Sequence, residues 1–237
     1  MTTQKKESSA DFIPPHSKRI LLFTKAPIVG RVKSRLGDVV GQEMAAALHI
    51  AMVKDLLANL HKYLDIITVY IDDIEQIFPP FDPPARFSIK KQRGDNLGER
   101  MANAFTETFR QGIHSAIIIG SDLPYLTPYV LEGYFAKLPE TSMVLGPTVD
   151  GGYYVIGFTH QSFNPSVFDN IEWSTNTVLQ ETIDIAHAQG LSVFQGRRLR
   201  DIDTFDDLKM IMENTALHSS MKYLMEVYNS YYIKKRQ

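Results

Sequence analysis

Apolar residues recur along the chain in two rhythms, and the switching between them predicts alternating strands and helices. Short apolar runs bounded by charge or turn residues read as strands at Arg19 to Thr24, Ile66 to Ile71, Phe87 to Ile89, Ala116 to Gly120, Met143 to Leu145, Tyr153 to Phe158 and Leu191 to Phe194. Helical spacing separates them. Met44, Leu48, Met52, Leu56 and Leu60 predict a long amphipathic helix over Gly41 to Tyr63, and a second is predicted from about Leu97 to Gln111. A third opens at Thr127, a good N-cap with Pro128 at the first helical position, and a fourth runs from Asn176 to Gln189 and stops at Gly190. Phe205 to Tyr232 reads as helical, with Leu217, Met221, Leu224, Met225 and Tyr228 on a stripe that suits either core packing or a self-association face of a homodimer. The isoleucines of Ala116 to Gly120 predict a central parallel strand buried on both faces. The expected architecture is a three-layer α/β domain with a mostly parallel central sheet. Ligands of such sheets lie outside the carboxyl ends of the strands.

Composition narrows the classes that this pattern allows. At 237 residues the chain can bury one substantial core, expected over residues 18–214, with 215–237 as a helical C-terminal extension of the same domain. Met1 to Ser17 is polar, contains Pro14 and Pro15, lacks the apolar stretch of a signal peptide and reads as a flexible arm. A formal net charge of −2 gives no global field for nucleic acid or an anionic membrane, so any phosphate binding must come from a local cluster. The absence of cysteine removes thiolate metal sites and thiol nucleophiles and fits a reducing compartment. No apolar run approaches the roughly 20 residues that span a bilayer, and a cytoplasmic protein without membrane insertion is expected.

Residues with chemistry gather after the predicted strands. Lys25-Ala-Pro-Ile-Val-Gly30-Arg31-Val-Lys33-Ser-Arg35 follows the first, and its glycine and four cations suit phosphate oxygens; its spacing is neither that of a P-loop nor that of a dinucleotide fingerprint, and a solvated basic loop is the plainer alternative. Ser121-Asp122 follows the isoleucine strand, where a carboxylate must be solvated, paired or bound to a hard cation such as Mg²⁺ or Mn²⁺. Asp201 and Asp203 offer further acids, although Asp203 or Thr204 would equally serve as a helix cap before Phe205. Asp150-Gly151-Gly152-Tyr153-Tyr154 is either a simple turn or an acceptor-shaping segment with Asp150 as general base. Gly94-Asp95-Asn96-Leu97-Gly98 begins a helix, and a cap alone accounts for it. Asp72-Asp73, ahead of a proline-rich stretch reaching Pro84, reads as an exposed turn. The histidines have no zinc-ligand spacing, and no Gly-x-Ser-x-Gly elbow is present.

In this order the segments resemble a family of bacterial arsenosugar-type or uncharacterised glycosyltransferases of the GT-A fold, and more distantly the phospholactate guanylyltransferases and molybdenum-cofactor nucleotidyltransferases. The matching stretches are Phe23-Thr-Lys-Ala-Pro with Gly30-Arg-Val-Lys, Leu97-Gly-Glu-Arg-Met101, Gly120-Ser-Asp with Pro124, Leu145-Gly-Pro with Asp150-Gly-Gly-Tyr-Tyr154, Trp173-Ser-Thr175 and Asp201-Ile-Asp-Thr204 with Asp206-Asp-Leu208. The resemblance implies a Rossmann-like GT-A domain and a metal-dependent transfer of sugar from a nucleotide-diphospho-sugar to an unknown acceptor. It implies metal ligation of Mg²⁺ or Mn²⁺ by Asp122 and Asp203, with Asp201 in reserve. Phosphate or nucleotide contacts fall to Lys25, Gly30, Arg31, Lys33, Arg35, Gly94, Asp95 and Gly98. Asp150 and Lys25 are the candidate catalytic groups, and Gly151, Gly152, Tyr153 and Trp173 the candidate sugar or acceptor contacts. Nucleotidyl transfer with loss of pyrophosphate, and nucleotide binding for regulation without catalysis, are the alternatives. Phe205 stands where a proline is common in the family, and Tyr125 where an acid often occurs.

Overall fold

The computed structural model describes residues 17–76 and 86–235, with the side chains of 232–235 excepted. Seven strands form one sheet: β1 (Lys18–Thr24), β2 (Ile67–Ile71), β3 (Ser88–Lys91), β4 (Ser115–Gly120), β5 (Met143–Pro147), β6 (Tyr153–Thr159) and β7 (Val193–Gln195). Their order is β3-β2-β1-β4-β6-β5-β7. All neighbouring pairs are parallel except those made by β6, which runs antiparallel to both β4 and β5. Helices α1 (Ser34–Val40), α2 (Gln42–Asn59), α4 (Pro128–Lys137), α6 (Phe205–Met212) and α7 (Lys222–Lys235) cover one face, and α3 (Leu97–Arg110) and α5 (Val178–Ala188) the other.

The period-two geometry of strands explains why the central ones contain no polar alternation. In β1, Ile20 and Leu22 pack into one helical layer while Leu21 and Phe23 pack into the other; in β4, Ile117 and Ile119 oppose Ala116 and Ile118 in the same way. A strand with helices on both sides has no solvent face, so the positions between its ends are apolar on both sides.

Three boundaries differ from the sequence expectation. The basic segment after β1 contains α1, whose seven residues are too few to show a helical period. The helix predicted to end at Tyr63 ends at Asn59 and gives way to a 3₁₀ segment, His61–Ile66. The long C-terminal helix is three pieces: α6, a 3₁₀ segment at Thr215–Ser220, and α7. The break has a tertiary cause. The buried Asp55 carboxylate, on α2, accepts hydrogen bonds from the backbone N–H groups of Tyr223 (2.9 Å) and Leu224 (2.7 Å), so a residue remote in sequence caps the first turn of α7. Burial pushes the Asp55 pKa up against the lowering effect of these two donors. Met221 and Leu224 are fully buried and Leu217, Met225 and Tyr228 pack against the same core, which takes up the apolar stripe. Removing the cap in Asp55→Ala is expected to cost about 2 kcal/mol, the scale of a lost N-cap and a charge-assisted bond. A urea unfolding curve superimposable on that of the unaltered protein would show that α7 docks without it.

Most of the predicted N-terminal arm, residues 1–16, and most of the predicted proline-rich loop, 77–85, lie outside the described residues. Among the described residues no helix is long and apolar enough to cross a membrane.

Candidate active site

β1, β2, β3 and β4 all end at the same rim of the sheet, where their carboxyl ends leave a cleft of about 390 Å³. Lys25 and Lys33 from the segment after β1, Asp122 after β4, Asp203 before α6, and Tyr153 at the start of β6 line it together. Five predicted site residues, scattered from 25 to 203, thus meet in one place.

The floor is an ion cluster centred on Lys33. Its ammonium donates to the Ile202 carbonyl at 2.5 Å, pairs with Asp122 Oδ1 at 2.8 Å and lies 3.7 Å from Asp203 Oδ1. The Lys33 side chain is 4 % exposed, against 43 % for that of Asp122, so the cation is enclosed and the carboxylate opens onto the cleft. Lys33 holds a left-handed backbone conformation, φ 50° and ψ 43°, at the start of α1, unusual for a residue with a side chain and costing on the order of 1 kcal/mol. Arg35, otherwise exposed, pairs with the second Asp203 oxygen at 3.0 Å.

Asp203 is free for this role because its neighbour caps the helix. Thr204 Oγ1 accepts from the Asp207 N–H, while the Asp207 carboxylate accepts from the Thr204 N–H, a complete capping box, and Arg200 ties Asp207 down at 2.9 Å. The two readings of Asp203 left open by sequence are thereby separated.

Charge sets the protonation of the acids. Burial disfavours the Asp122 carboxylate, but the Lys33 charge and hydrogen bond, helped by Lys25, outweigh it and hold the pKa below the ordinary value. Asp201 is pushed the other way, to about 6, by burial and by the neighbouring charges of Asp150 and Asp122. Asp150 itself sits in an exposed turn, where one carboxylate oxygen accepts from Thr148 Oγ1 at 2.5 Å and from the Gly152 N–H at 3.2 Å.

Of the other predicted residues, only Tyr153 lines the cleft. Gly30 (φ 80°) and Arg31 form the exposed outer turn of the basic segment, with the Arg31 N–H bonded to the Ile28 carbonyl at 2.9 Å. Gly94 and Asp95 lead into α3, where Asn96 is the cap and Glu99 reaches back to the Asp95 N–H at 2.8 Å. A Cβ on Gly98 would lie 2.6 Å from the Trp173 ring, so this tryptophan buttresses the start of α3 and does not line the cleft. Gly151 has φ 93° and its Cβ would meet the Asn176 carbonyl at 2.1 Å, which makes it the seat of the segment entering α5; Gly152 closes the turn by giving its carbonyl to the Thr148 N–H. Tyr153 lines the cleft with its hydroxyl buried, and burial raises its pKa.

Four cleft residues were missed by sequence reasoning. Asp72 is not an exposed turn residue: its Oδ1 accepts from the Ala26 N–H at 2.7 Å and anchors the basic segment. Gln92, beside Asp72 at the end of β2, and Arg100 also line the cleft. His49, buried within α2, points Nε2 at the Lys25 carbonyl, 3.1 Å away, and burial keeps it neutral by lowering its pKa. Asp72 and Gln92 each directly follow a strand, the signal that drew notice to Asp122. His49 has no such local signal.

Asp122 and Asp203 face a common ammonium, and two hard carboxylates beside a cationic segment suit Mg²⁺ or Mn²⁺, ions often held by one or two carboxylates together with substrate phosphate oxygens. Among the described residues no three His, Asp or Glu side chains converge as a complete protein cage. Two carboxylates of this kind would leave the rest of a cation's shell to substrate oxygens.

Comparison with known proteins agrees with this fold. Residues 56–175 match the family described as uncharacterized protein conserved in bacteria (DUF2064). The chain is 32 % identical to a protein from Desulfovibrio desulfuricans G20, provisionally described as a nucleotide-diphospho-sugar transferase, over 90 % of this chain and 97 % of that one, with a TM-score of 0.80. Rv0371c from Mycobacterium tuberculosis H37Rv is similar in fold at 13 % identity and a TM-score of 0.53, over 84 % of this chain and all (100 %) of that one. CMP:2-keto-3-deoxy-manno-octonic acid synthetase, solved with CTP, is likewise similar at 12 % identity and 0.51, over 84 % and 98 % of the two chains. No curated protein matches the chain.

Proposed function

The chain belongs to the DUF2064 family of bacterial proteins, and on that premise we propose that it is a metal-dependent glycosyltransferase that takes its sugar from a nucleotide-diphospho-sugar. The observation that supports this reading most directly is the Lys33–Asp122–Asp203 cluster, set beside Lys25 at the carboxyl ends of β1 and β4. Similarity to the Desulfovibrio desulfuricans protein over nearly the whole chain favours sugar transfer in particular.

In this reading Lys25, exposed at the cleft, contacts the donor diphosphate by charge-assisted hydrogen bonds, with Arg31 at the outer turn. Asp122 and Asp203, with Asp201 close by, would hold Mg²⁺ or Mn²⁺, which when bound stabilises charge on the departing diphosphate. Lys33 has its ammonium engaged by three oxygen atoms and acts as a positioning residue for both carboxylates. Asp150, with one oxygen held by Thr148 and Gly152, takes the proton of the acceptor hydroxyl as that oxygen bonds to the anomeric carbon and the bond from that carbon to the diphosphate breaks. Nucleoside diphosphate leaves.

The test follows the phosphorus products by ³¹P NMR. With Mg²⁺ or Mn²⁺ and no acceptor, slow release of nucleoside diphosphate from one nucleotide sugar is expected, because water can take the acceptor's place. Pyrophosphate release from a nucleoside triphosphate, with every nucleotide sugar inert, would instead establish nucleotidyl transfer. Nucleotide binding without turnover of either donor class across an acceptor panel would favour a regulatory module.

A further inference from the structure

We propose that the corner formed by Asp72 and Gln92 selects guanine as the base of the nucleotide, an inference that rests on the nucleotide site proposed above. Gln92 immediately follows β3, and its backbone N–H donates to the Ile71 carbonyl at 2.9 Å, which places it beside the end of β2 where Asp72 begins. Its side-chain Nε2 donates to the carbonyls of Thr24 and Tyr70, each at 3.0 Å. Both amide hydrogens are thus engaged, and a flipped amide would set Oε1 against two carbonyl oxygens, so the orientation is fixed by its surroundings. Oε1 is the polar atom left over, with no partner among the described residues. Asp72 is in the same condition: Oδ1 accepts from Ala26, and the other oxygen has no partner among the described residues.

Both side chains line the cleft, and the atoms they leave over, Gln92 Oε1 and one Asp72 oxygen, are hydrogen-bond acceptors. Among the common bases only guanine presents two adjacent donor groups, N1–H and the 2-amino group, on one edge. Adenine and cytosine set a ring-nitrogen acceptor beside their amino group, and uracil flanks its one N–H with carbonyls, so each would turn a lone pair toward a lone pair. Arg100, whose Nε is held by the Gly94 carbonyl at 3.0 Å, lines the same cleft and carries further N–H groups suited to the guanine O6. Leu97, 43 % exposed at the mouth, and Met101 supply an apolar surface for a planar ring.

Binding of diphosphates to the full-length protein, by calorimetry with Mn²⁺ present, tests this. GDP is expected to bind about 10-fold or more tightly than IDP, which lacks only the 2-amino group, and more tightly than ADP, UDP or CDP. In Asp72→Asn one oxygen can still accept from Ala26 while the new amide donates into the cleft. Preference should then shift from GDP toward XDP, whose C2 carbonyl replaces the amino group; a merely structural Asp72 would weaken all diphosphates alike. Equal GDP and IDP affinities, or tighter binding of another base, would overturn the guanine reading and leave the nucleotide site standing. Absence of binding by every nucleotide would overturn both. If Asp72→Asn does not fold, the GDP and IDP comparison on the unaltered protein decides alone.

Discussion

Asp122→Asn is expected to lower turnover of the nucleotide donor about 100-fold, roughly 2.7 kcal/mol of transition-state stabilisation, while leaving the fold intact. Asparagine keeps the shape of the side chain and an oxygen that can accept from Lys33, so the cluster retains a hydrogen bond and loses a charge. That charge is present at neutral pH because Lys33, with Lys25, overcomes the cost of burial. Asp203→Asn should have an effect of similar size. Its neighbour Thr204 holds the helix cap, so the loss would not come through α6. Steady-state rates across a Mg²⁺ or Mn²⁺ titration, paired with a thermal melt, measure both variants. Full activity with unchanged metal dependence in the two would place the chemistry elsewhere; a large drop in melting temperature would mean that these two charges serve folding and not turnover.

Lys33→Ala is expected to destabilise the fold by about 2–4 kcal/mol. Removing one partner from a buried ion pair typically costs about 3–5 kcal/mol, because the remaining charge is left without compensation, and here the cost is reduced because Asp122 opens onto the cleft. Two carboxylates that share one ammonium would be left facing each other, and the Ile202 carbonyl would lose its donor. Adding Asp122→Asn should therefore recover part of the loss, since it removes one of the repelling charges. The coupling in a double-mutant cycle, read from urea unfolding, isolates that term. If Lys33 were chiefly a phosphate ligand, the single variant would weaken nucleotide binding with little change in stability, and the second substitution would recover nothing.

The distinction between Lys33 and its neighbours marks the limit of what could be read along the chain. Lys25, Arg31, Lys33 and Arg35 are equivalent in sequence, four cations on one segment. In the fold Lys25 faces the cleft, Arg31 stands on the outer turn, Arg35 braces Asp203, and Lys33 turns inward from a left-handed backbone to meet acids that arrive from β4 and from the segment before α6. The same holds for Asp72, whose proline-rich context suggested exposure and whose carboxylate instead holds the Ala26 N–H.

Periodicity determined the succession of strands and of the helices other than α1 and the broken C-terminal one, the apolar character of β1 and β4, and the gathering of polar chemistry at strand ends, since these depend on the two-residue and 3.6-residue repeats of the backbone. It also pointed to Asp122, because a carboxylate after a fully buried strand needs a local explanation. Tertiary structure alone decided which acids share Lys33, that Thr204 and not Asp203 caps α6, that Asp55 starts α7, and that the Gln92 amide points its donors at Thr24 and Tyr70. Each of these is a contact between segments far apart in sequence. A side chain's partner is set by which strand ends the sheet order makes neighbours, and no local repeat encodes that order.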